Sequence, residues 1–488
     1  MDNFLKKRIE EYEKEIKKTP QIILQPSFEK ITEISSLKQV KINIPSLNLH
    51  NLDGELLKTS GIYLLTVGIF AHKSDETYDV EIIFDGFVFP VKEIHFYHGE
   101  TTLTRNENDP MFSGEMKFHT VIREIVSSQF ETQPAYYRSV INAPKADLDS
   151  YVHCRGYRDE TKIYSGGQVT LEVGKVKLVL TRATYDKEYY LIIDASEKIN
   201  FQLFAEASHS VMIGYGFLSG YFFQQEVYYL KSDSIEFKAI SDISYLQLRP
   251  SILSYGTANP IHSNANGYTR DENIIKRVGR KLPVFTAELF SKLSSKILQE
   301  SDYATLILLI IESHKASLVL QPAGYSVALE KITNIIAAEN KGLKPIPDKI
   351  LAKSFTAEIT AILDKFKVQI QNAGNQDSIT ILKKNIDKLN NPTNQDKLTK
   401  PFKIYDIVLS SEDLKAIANR NNFLHGRPLE IDDHKTSIET YVISLRLNKI
   451  VCKLILKHLG FSGFIINHLK HNENLLPFPL NEHLFEPI

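Results

Sequence analysis

The segment RPSILSYGTANPIHSNANGYTRDE, residues 249–272, separates two halves of the chain whose sequence patterns differ. Many serine and asparagine residues and four turn-forming residues make it typical of a domain boundary. The four are Pro250, Gly256, Pro260 and Gly267. A chain of 488 residues is also too long for one ordinary core. We therefore predict an α+β multidomain protein, with a β-rich N-terminal domain at 36–260 and an all-α helical bundle at 272–488.

Before the boundary, runs of β-branched and aromatic residues are punctuated by Gly, Asn and Asp, which indicates short strands. The strand candidates are residues 40–44, 62–70, 78–91, 169–181 and 189–193. We expect them to form an antiparallel sandwich or a barrel-like sheet. Residues 209–231 break the pattern with clustered aromatic side chains and predict a helix packed on the sheet. The glycines in this segment match no phosphate-binding loop, so they indicate close packing.

After the boundary, apolar residues recur with helical spacing. The predicted helices are residues 285–299, 303–320, 323–339, 347–371, 378–389, 412–424 and 434–459. Such a series is typical of an α-helical bundle, with a surface loop at 390–401. A short charged helix near residues 2–18 predicts a separate N-terminal helical arm over 1–35.

Composition narrows the class of protein. The first residues have no apolar stretch behind their charges, and no apolar run reaches membrane-spanning length. Two distant cysteines, Cys154 and Cys452, offer neither a disulfide framework nor a metal pattern. We therefore expect a cytoplasmic protein that is not bound to a membrane and needs no metal or cofactor. The formal net charge of −1 means that any nucleic-acid site must be local.

The sequence RNNFLH, residues 420–425, joins a permanently charged side chain, Arg420, to one that titrates near neutral pH, His425. A histidine can take the proton of an RNA 2′-hydroxyl or give one to the departing 5′-oxygen. An arginine can stabilise the charge that builds on the phosphate in between. DNA lacks that hydroxyl, so this chemistry selects RNA.

The local setting of this motif is the end of a helix. Ser411-Glu412-Asp413 predicts the helix start, and Gly426 followed by Pro428 predicts its end. Five positions correspond to about 140° beyond full turns, so the two side chains would not share a face of an ideal helix. Either the last turn deviates, or the two meet a ligand from different sides. A looser pair, Arg427 and His434, also fits the pattern, and we place it at the rim of the site.

The final long helix carries a stripe of basic residues at steps of three, four and four. The stripe consists of Arg446, Lys449, Lys453 and Lys457. Because no Asp or Glu occurs in the sequence between Glu439 and Glu473, this stripe predicts contacts to RNA phosphates, to which Arg427 would add. The alternative is a solvated face opposite the apolar side of the helix.

Together these features resemble the HEPN superfamily and, within it, the Apea-like HEPN proteins of prokaryotic antiviral defence. The resemblance is carried by Arg420-Asn421-x-x-x-His425 between the final helices, with a polar residue directly after the arginine. A second point is YSVALEKI, residues 325–332, where such proteins often carry a glutamate within an apolar pattern, here Glu330. The β-rich half with its aromatic helix is similar to the N-terminal domain that accompanies this subtype.

The resemblance implies a metal-independent endoribonuclease in which the motifs of two HEPN domains meet in one cleft of a homodimer or higher homo-oligomer. Arg420 and His425 would be the catalytic pair, and Asn421 would orient the phosphate or the histidine. Glu330 would support the site from the neighbouring helix, unless it is an exposed helical acid. The implied role is an anti-phage, abortive-infection effector that cleaves RNA, with tRNA and mRNA both open, and that responds to a phage-derived activator.

A second reading of the same features remains open. The helical bundle can be a non-catalytic HEPN-type module that dimerises or binds a nucleotide or a partner, while the β-rich domain binds another molecule. Replacement of His425 by alanine separates the two hypotheses, because it would leave the cellular phenotype of a binding module unchanged.

Overall fold

The computed structural model describes residues 19–36, 38–59, 62–67, 76–84, 87–105, 112–127, 130, 133–144, 146–223, 226–247, 252–253, 259–340, 344–374, 377–391, 394–424 and 434–488. The chain forms two compact units, Met1–Gln299 and Glu300–Ile488. The first unit is rich in β-strands and the second in α-helices, which confirms the predicted α+β class. The predicted N-terminal helix at 2–18 lies outside the described residues.

The first unit begins with a helix, α1 (Gln25–Ser35), and a seven-stranded antiparallel sheet. The strands of this sheet are β1 (Lys38–Ile44), β2 (Leu49–Thr59), β3 (Ile62–Val67), β4 (Tyr78–Phe84), β5 (Phe87–Ile94), β6 (Tyr97–Arg105) and β7 (Phe112–Ile122). Their order is β5-β4-β1-β2-β3-β7-β6. Residues 78–91, predicted as one strand, form the hairpin of β4 and β5.

A second antiparallel sheet has eight strands in the order β10-β11-β12-β13-β9-β15-β16-β8. The strands in this part of the chain are β8 (Glu124–Val126), β9 (Tyr136–Asn142), β10 (Arg155–Arg158), β11 (Ile163–Val173), β12 (Val176–Tyr185), β13 (Glu188–Ala195), β14 (Tyr221–Phe222), β15 (Val227–Ser232), β16 (Asp242–Leu246) and β17 (Ile252–Leu253). Strands β14 and β17 form a separate antiparallel pair. Gly174, with φ of 61°, lies in the turn between β11 and β12, so residues 169–181 are also a hairpin.

The two sheets share one apolar core. Side chains of the first sheet, such as Ile42 and Leu65, and of the second sheet, such as Ile192 and Ile243, belong to a single buried cluster. In β4, buried residues alternate with exposed or half-buried ones, as expected for a strand with one covered face. The predicted antiparallel sandwich-like architecture is therefore confirmed for the described strands.

A buried arginine joins the N-terminal segment to the second sheet. Arg138 on β9 makes two bonds to the Asp194 carboxylate on β13, from Nε to Oδ1 at 2.6 Å and from Nη2 to Oδ2 at 2.9 Å. Its Nη1 donates to the carbonyl of Ile23 at 2.6 Å and to the hydroxyl of Ser27 at 2.9 Å. The guanidinium also lies 4.2 Å from the ring centre of Phe237. The cation is thus surrounded by partners.

The aromatic helix of the first unit, α2 (Phe201–Ser219), begins earlier than predicted and ends at Gly220, whose φ is 74°. The second half of the predicted segment 209–231 is strand, because β14 and β15 follow the helix. Gly214 lies against another helix, since an added Cβ would lie 3.1 Å from a ring carbon of Phe290. Close packing is therefore the role of this glycine, as predicted.

Two further helices of the first unit are α3 (Glu272–Val278) and α4 (Ala287–Gln299). The sequence pattern predicted α4 as the first helix of the all-α domain, but it packs on α2 and β11 and lies in the first unit. Its serines explain this placement. The backbone N–H of Glu172 donates to Ser291 Oγ at 3.0 Å, and that of Gly174 donates to Ser295 Oγ at 2.9 Å.

The second unit is mainly helical. Its elements are α5 (Ser301–Ser313), α6 (Gln321–Glu339), α7 (Lys349–Lys365), α8 (Lys367–Ala373), α9 (Ser378–Asp387), α10 (Asn394–Ile404), α11 (Ser411–Leu424), α12 (His434–Leu459), α13 (His468–His471) and the antiparallel strands β18 (Phe464–Ile466) and β19 (Phe485–Pro487). Helix α12 is its centre, because residues 444–452 are all buried. It packs on α6, α11 and β18.

Two sequence-based expectations differ from this unit. The predicted loop at 390–401 is largely helix α10, which accommodates Pro401 in its last turn. The predicted helix at 347–371 is divided into α7 and α8 at Phe366. Among the described residues, none of the helices has the length and apolar character needed to cross a membrane.

Candidate functional site

Arg420 lies on the inward face of α11. The buried residues of this helix follow one another at steps of three, one, three and three. They are Asp413, Ala416, Ile417, Arg420 and Phe423. This face packs against α6 and α12, and Arg420 is 6% exposed. The guanidinium is carried inward because its position continues the apolar stripe of the helix.

The start of α11 is fixed by a reciprocal pair of hydrogen bonds. The backbone N–H of Asp413 donates to Ser410 Oγ at 3.0 Å, and the backbone N–H of Ser410 donates to Asp413 Oδ2 at 3.1 Å. This is the arrangement of a capping box, in which two otherwise unpaired N–H groups are satisfied together. The sequence pattern placed the cap at Ser411, and the structure places it one residue earlier.

Glu330 on α6 is the charged partner of Arg420 among the described residues. Arg420 Nη1 lies 3.8 Å from Glu330 Oε2, a distance at which the charges attract without a direct hydrogen bond. The side chain of Glu330 is 51% exposed and that of Arg420 is 7% exposed. A guanidinium has five N–H donors, so this contact leaves donors for a further ligand. The structure thus brings together two residues that are 90 positions apart in the sequence.

The other predicted residues of the motif are described in part. Asn421 follows Arg420 in α11. At Asn421 the structure describes the backbone and not the side chain. His425 and Arg427 lie outside the described residues, and α11 ends at Leu424, directly before His425. The approach of His425 to Arg420 therefore stays a prediction.

Three cations of the basic stripe of α12 are paired with acidic side chains, contrary to the expectation of a stripe that is free to bind phosphate. Arg446 Nη2 lies 2.5 Å from Glu482 Oε1, Lys449 Nζ lies 3.1 Å from Glu486 Oε1, and Lys453 Nζ lies 2.5 Å from Glu486 Oε2. Asp413 Oδ1 adds contacts of 3.5 Å to both Arg446 and Lys449. Arg446, Lys449 and Lys453 are largely buried and paired with acids. The prediction of an acid-free basic face is therefore wrong for these three residues.

The pKa shifts agree with an ionised, buried network. Burial tends to raise the pKa of Asp413 and of Glu482, but Lys449, Arg446 and hydrogen bonds outweigh it, and both pKa values lie below their ordinary range. Burial tends to lower the pKa of Lys449, but Glu486, Asp413 and Glu482 outweigh it and raise the pKa. Each charge therefore keeps its ionised form because opposite charges surround it.

The acids that neutralise the stripe come from outside the acid-free sequence window. Asp413 opens α11, while Glu482 and Glu486 belong to the C-terminal segment, where the side-chain N–H₂ of Asn467 also donates to both glutamates at 2.7 and 2.9 Å. Lys457, one turn further along α12, is half-buried and has no carboxylate partner among the described residues. Among the described residues that were predicted to bind phosphate, Lys457 is the one whose charge is not neutralised by a carboxylate.

A second polar cluster, at the C-terminal end of α6, was not predicted from the sequence. Tyr405 Oη lies 2.9 Å from His458 Nδ1, and His458 Nε2 lies 3.7 Å from Glu339 Oε1. Burial, followed by the charge of Glu339, raises the pKa of Tyr405. Glu339 is the last residue of α6, and His458 lies in the last turn of α12. Their shared position at a helix end is the one feature of the sequence that could have indicated this cluster.

No protein-family model, curated protein or solved structure matches this chain. The resemblance to the HEPN superfamily therefore rests on the motif and its helical setting. Among the described residues, no group of three or more His, Cys, Asp and Glu side chains is arranged to hold a metal ion.

Proposed function

We propose that the protein is an endoribonuclease that cleaves RNA with Arg420 and His425. The observation that supports this most is the state of Arg420, which is buried on α11 and whose one charged partner among the described residues is Glu330, at a loose 3.8 Å. A buried arginine normally has its donors satisfied, because unpaired buried charge is costly. A phosphate group can take the donors that Glu330 leaves free, in a bidentate contact.

The proposed reaction forms one bond and breaks one bond at phosphorus. The 2′-oxygen attacks the phosphorus while His425 accepts the 2′-hydroxyl proton, and the 5′-oxygen leaves with a proton given by the His425 of a second copy. Arg420 stabilises the negative charge on the phosphate oxygens between these events. The products are a 2′,3′-cyclic phosphate and a 5′-hydroxyl end. Side chains supply both proton transfer and charge stabilisation, so this reaction needs no metal ion.

The proposed biological role is that of an abortive-infection effector in the cytoplasm. The resemblance described above supports this role, in which a phage-derived signal received by the β-rich first unit activates RNA cleavage by the helical second unit. Both tRNA and mRNA are candidate substrates. Growth and total RNA of bacteria that express the chain, with and without phage, would show the expected loss of intact RNA after infection.

The direct test is cleavage of total bacterial RNA by the purified chain in the presence of a metal chelator. We expect fragments with 2′,3′-cyclic phosphate ends from the wild type and from His50→Ala, a matched control because His50 is exposed on β2 of the first unit. We expect none from His425→Ala. Equal cleavage by His425→Ala and the wild type would contradict the proposal.

A non-catalytic assembly module is the second candidate, and one observation favours it. Three of the cations expected to hold RNA are neutralised by Asp413, Glu482 and Glu486. A bundle that serves assembly would need no free cations. This candidate predicts that His425→Ala gives the same phage protection as the wild type and that no RNA is cut by either form.

A further inference from the structure

Helices α7, α8 and α9 form a small group within the second unit, and each packs mainly on the other two. The core of the group is limited to Leu363, Ile379 and Ile386, with two partly buried neighbours. Its base is closed by the Asn390 side chain, which bonds the backbone N–H and C=O of Ile346 at 2.8 and 3.0 Å. A core this small buries little apolar surface.

The same group exposes an unusual amount of apolar surface. Nine large apolar side chains between Ile350 and Leu389 are exposed. Scattered exposed apolar residues are normal, but a contiguous apolar patch marks an interaction site. Four of the nine, which we call the α7 stripe, are Leu351, Phe355, Ile362 and Phe366, with exposures of 44% to 58%.

The α7 stripe runs along one side of its helix, with three members inside α7 and Phe366 directly after its last residue. At 3.6 residues per turn, its four positions fall within an arc of about 60°. The packed residues Ile359 and Leu363 lie next to this arc, so the stripe is a second apolar face beside the covered one. On the other side, beyond the exposed residues Glu358 and Lys365, lie the small exposed residues Ser354 and Ala361. A second helix can therefore approach this side closely.

The spacing of the α7 stripe is the same in both directions. The steps between its members are four, seven and four residues. In an antiparallel pair of α7 helices related by a twofold axis, Leu351 of each copy therefore faces Phe366 of the other, and Phe355 faces Ile362. A twofold interface requires this self-complementarity, because residue i must contact j while j contacts i.

We infer that the α7 stripe is a self-association surface at which two copies of this chain pair their α7 helices antiparallel about a twofold axis near Glu358. The available area suits a weak dimer. Aromatic side chains bury about 150 to 250 Å² each, so the four residues of the α7 stripe, which are roughly half exposed, offer on the order of 300 to 400 Å² per copy. Interfaces of this size lie at the low end of the range, where association is weak or transient. The inference does not rest on RNA cleavage. The proposed reaction needs a second copy, but it does not require that the two copies meet through α7.

The first test is sedimentation equilibrium of the full chain between about 1 and 100 μM, the range in which an interface of modest size dissociates. The wild type should be a concentration-dependent dimer, and Phe355→Glu and Ile362→Glu should each weaken it by at least about tenfold. Both positions are exposed and glutamate favours helices, so folding should persist. Leu475→Glu is the matched control, because Leu475 is 63% exposed outside the group.

The second test is of the antiparallel register. The two Glu358 residues face one another across the twofold axis, so Glu358→Cys should form disulfide-linked dimers under mild oxidation, while Lys353→Cys, on the far side of α7, should not. Glu358→Gln should tighten the dimer, since it removes two like charges that lie close together. A wild type that is monomeric throughout would overturn the inference. So would equal dimer formation by Ile362→Glu and Leu475→Glu, or equal cross-linking of Glu358→Cys and Lys353→Cys.

Discussion

Arg138 in the first unit and Arg420 in the second are both buried, but the partners of their guanidinium groups differ. Arg138 in the first unit has a bidentate carboxylate, a carbonyl, a hydroxyl and an aromatic ring around its guanidinium. Arg420 in the second unit has one carboxylate at 3.8 Å among the described residues. The side chains are 1% and 7% exposed, so burial does not distinguish them.

The number and distance of partners therefore distinguish a structural arginine from one that is available to a ligand. The donors of Arg138 are used by the fold, and removal of Asp194 would leave a buried charge unpaired. Within the described part of the chain, Arg420 has donors left over by Glu330, and this partner is half exposed to solvent. In the first unit the arginine stabilises the sheet, and in the second we expect the arginine to stabilise a reaction.

The largest expected effect is on the stability of the first unit. Arg138→Ala leaves the Asp194 carboxylate without its bidentate partner and should lower the free energy of unfolding by about 3–5 kcal/mol. The matched control is Arg182→Ala, whose pair with Asp147 is 3.2 Å long and partly exposed, so its cost should stay below about 1 kcal/mol. Hydrogen exchange of β9 and β13 in a urea series measures both. Similar midpoints for the two variants would mean that the buried Arg138 contributes no more to stability than the partly exposed Arg182.

The next effect is on activity. Arg420→Ala should reduce RNA cleavage by about 10² to 10³-fold, the range found when one transition-state charge donor is removed. The same substitution should cost the second unit about 1 kcal/mol or less in electrostatic stability, because the ion pair is loose. Arg420→Lys is the control, since it keeps the charge but loses the bidentate fork. Unchanged cleavage with a large loss of stability would make Arg420 a structural arginine like Arg138.

A smaller effect concerns pH. The pKa values of Asp413 and Glu482 are lowered, so their contribution to stability is present above the ordinary carboxyl pKa and is lost as pH falls through the lowered values. The pKa of Lys449 is raised, so its contribution is present below the ordinary lysine pKa and is lost as pH rises through the raised value. Acid should therefore destabilise the second unit as each of these two carboxyls takes up a proton.

Urea midpoints of the second unit across acid pH measure this contribution. Asp413→Asn should have a lower plateau near neutral pH, because Arg446 and Lys449 lose a partner, and a shallower fall in acid. Glu412→Gln is a suitable control, since Glu412 is a half-exposed helical acid paired with Lys415. An unchanged acid slope in Asp413→Asn would show that the network titrates through other groups.

Much of the fold follows from local patterns. The alternating apolar residues of β1, the continuous apolar run in β13 and the helical spacing of α6 and α12 are strong signals, because each element buries one defined face or is buried throughout. The errors occur where tertiary contacts decide. Residues 169–181 form a hairpin because Gly174 takes positive φ, and α4 joins the first unit because its serines bond the β11–β12 turn.

The candidate site likewise contains features that the local sequence predicts and contacts that it does not predict. The motif at Arg420 was visible because its residues are close in sequence, and its cap was misplaced by one position. The neutralised stripe was misread because Glu482 and Glu486 come from the C-terminal segment, which no local window includes. The pairing of Glu330 with Arg420 was expected from the family resemblance and not from spacing, because it depends on how α6 and α11 pack.

The smallest expected effect tests the partner of Arg420. Glu330 is half exposed, so Glu330→Gln should change the stability of the second unit by less than about 0.5 kcal/mol. If Glu330 positions the guanidinium, cleavage should fall by only about three- to tenfold, because the arginine itself remains. Lys331→Gln, which removes the neighbouring pair with Asp302, is the control and should leave cleavage unchanged. Faster cleavage by Glu330→Gln would instead mean that the carboxylate competes with the phosphate for the spare donors of Arg420, which would make it a restraint on the site.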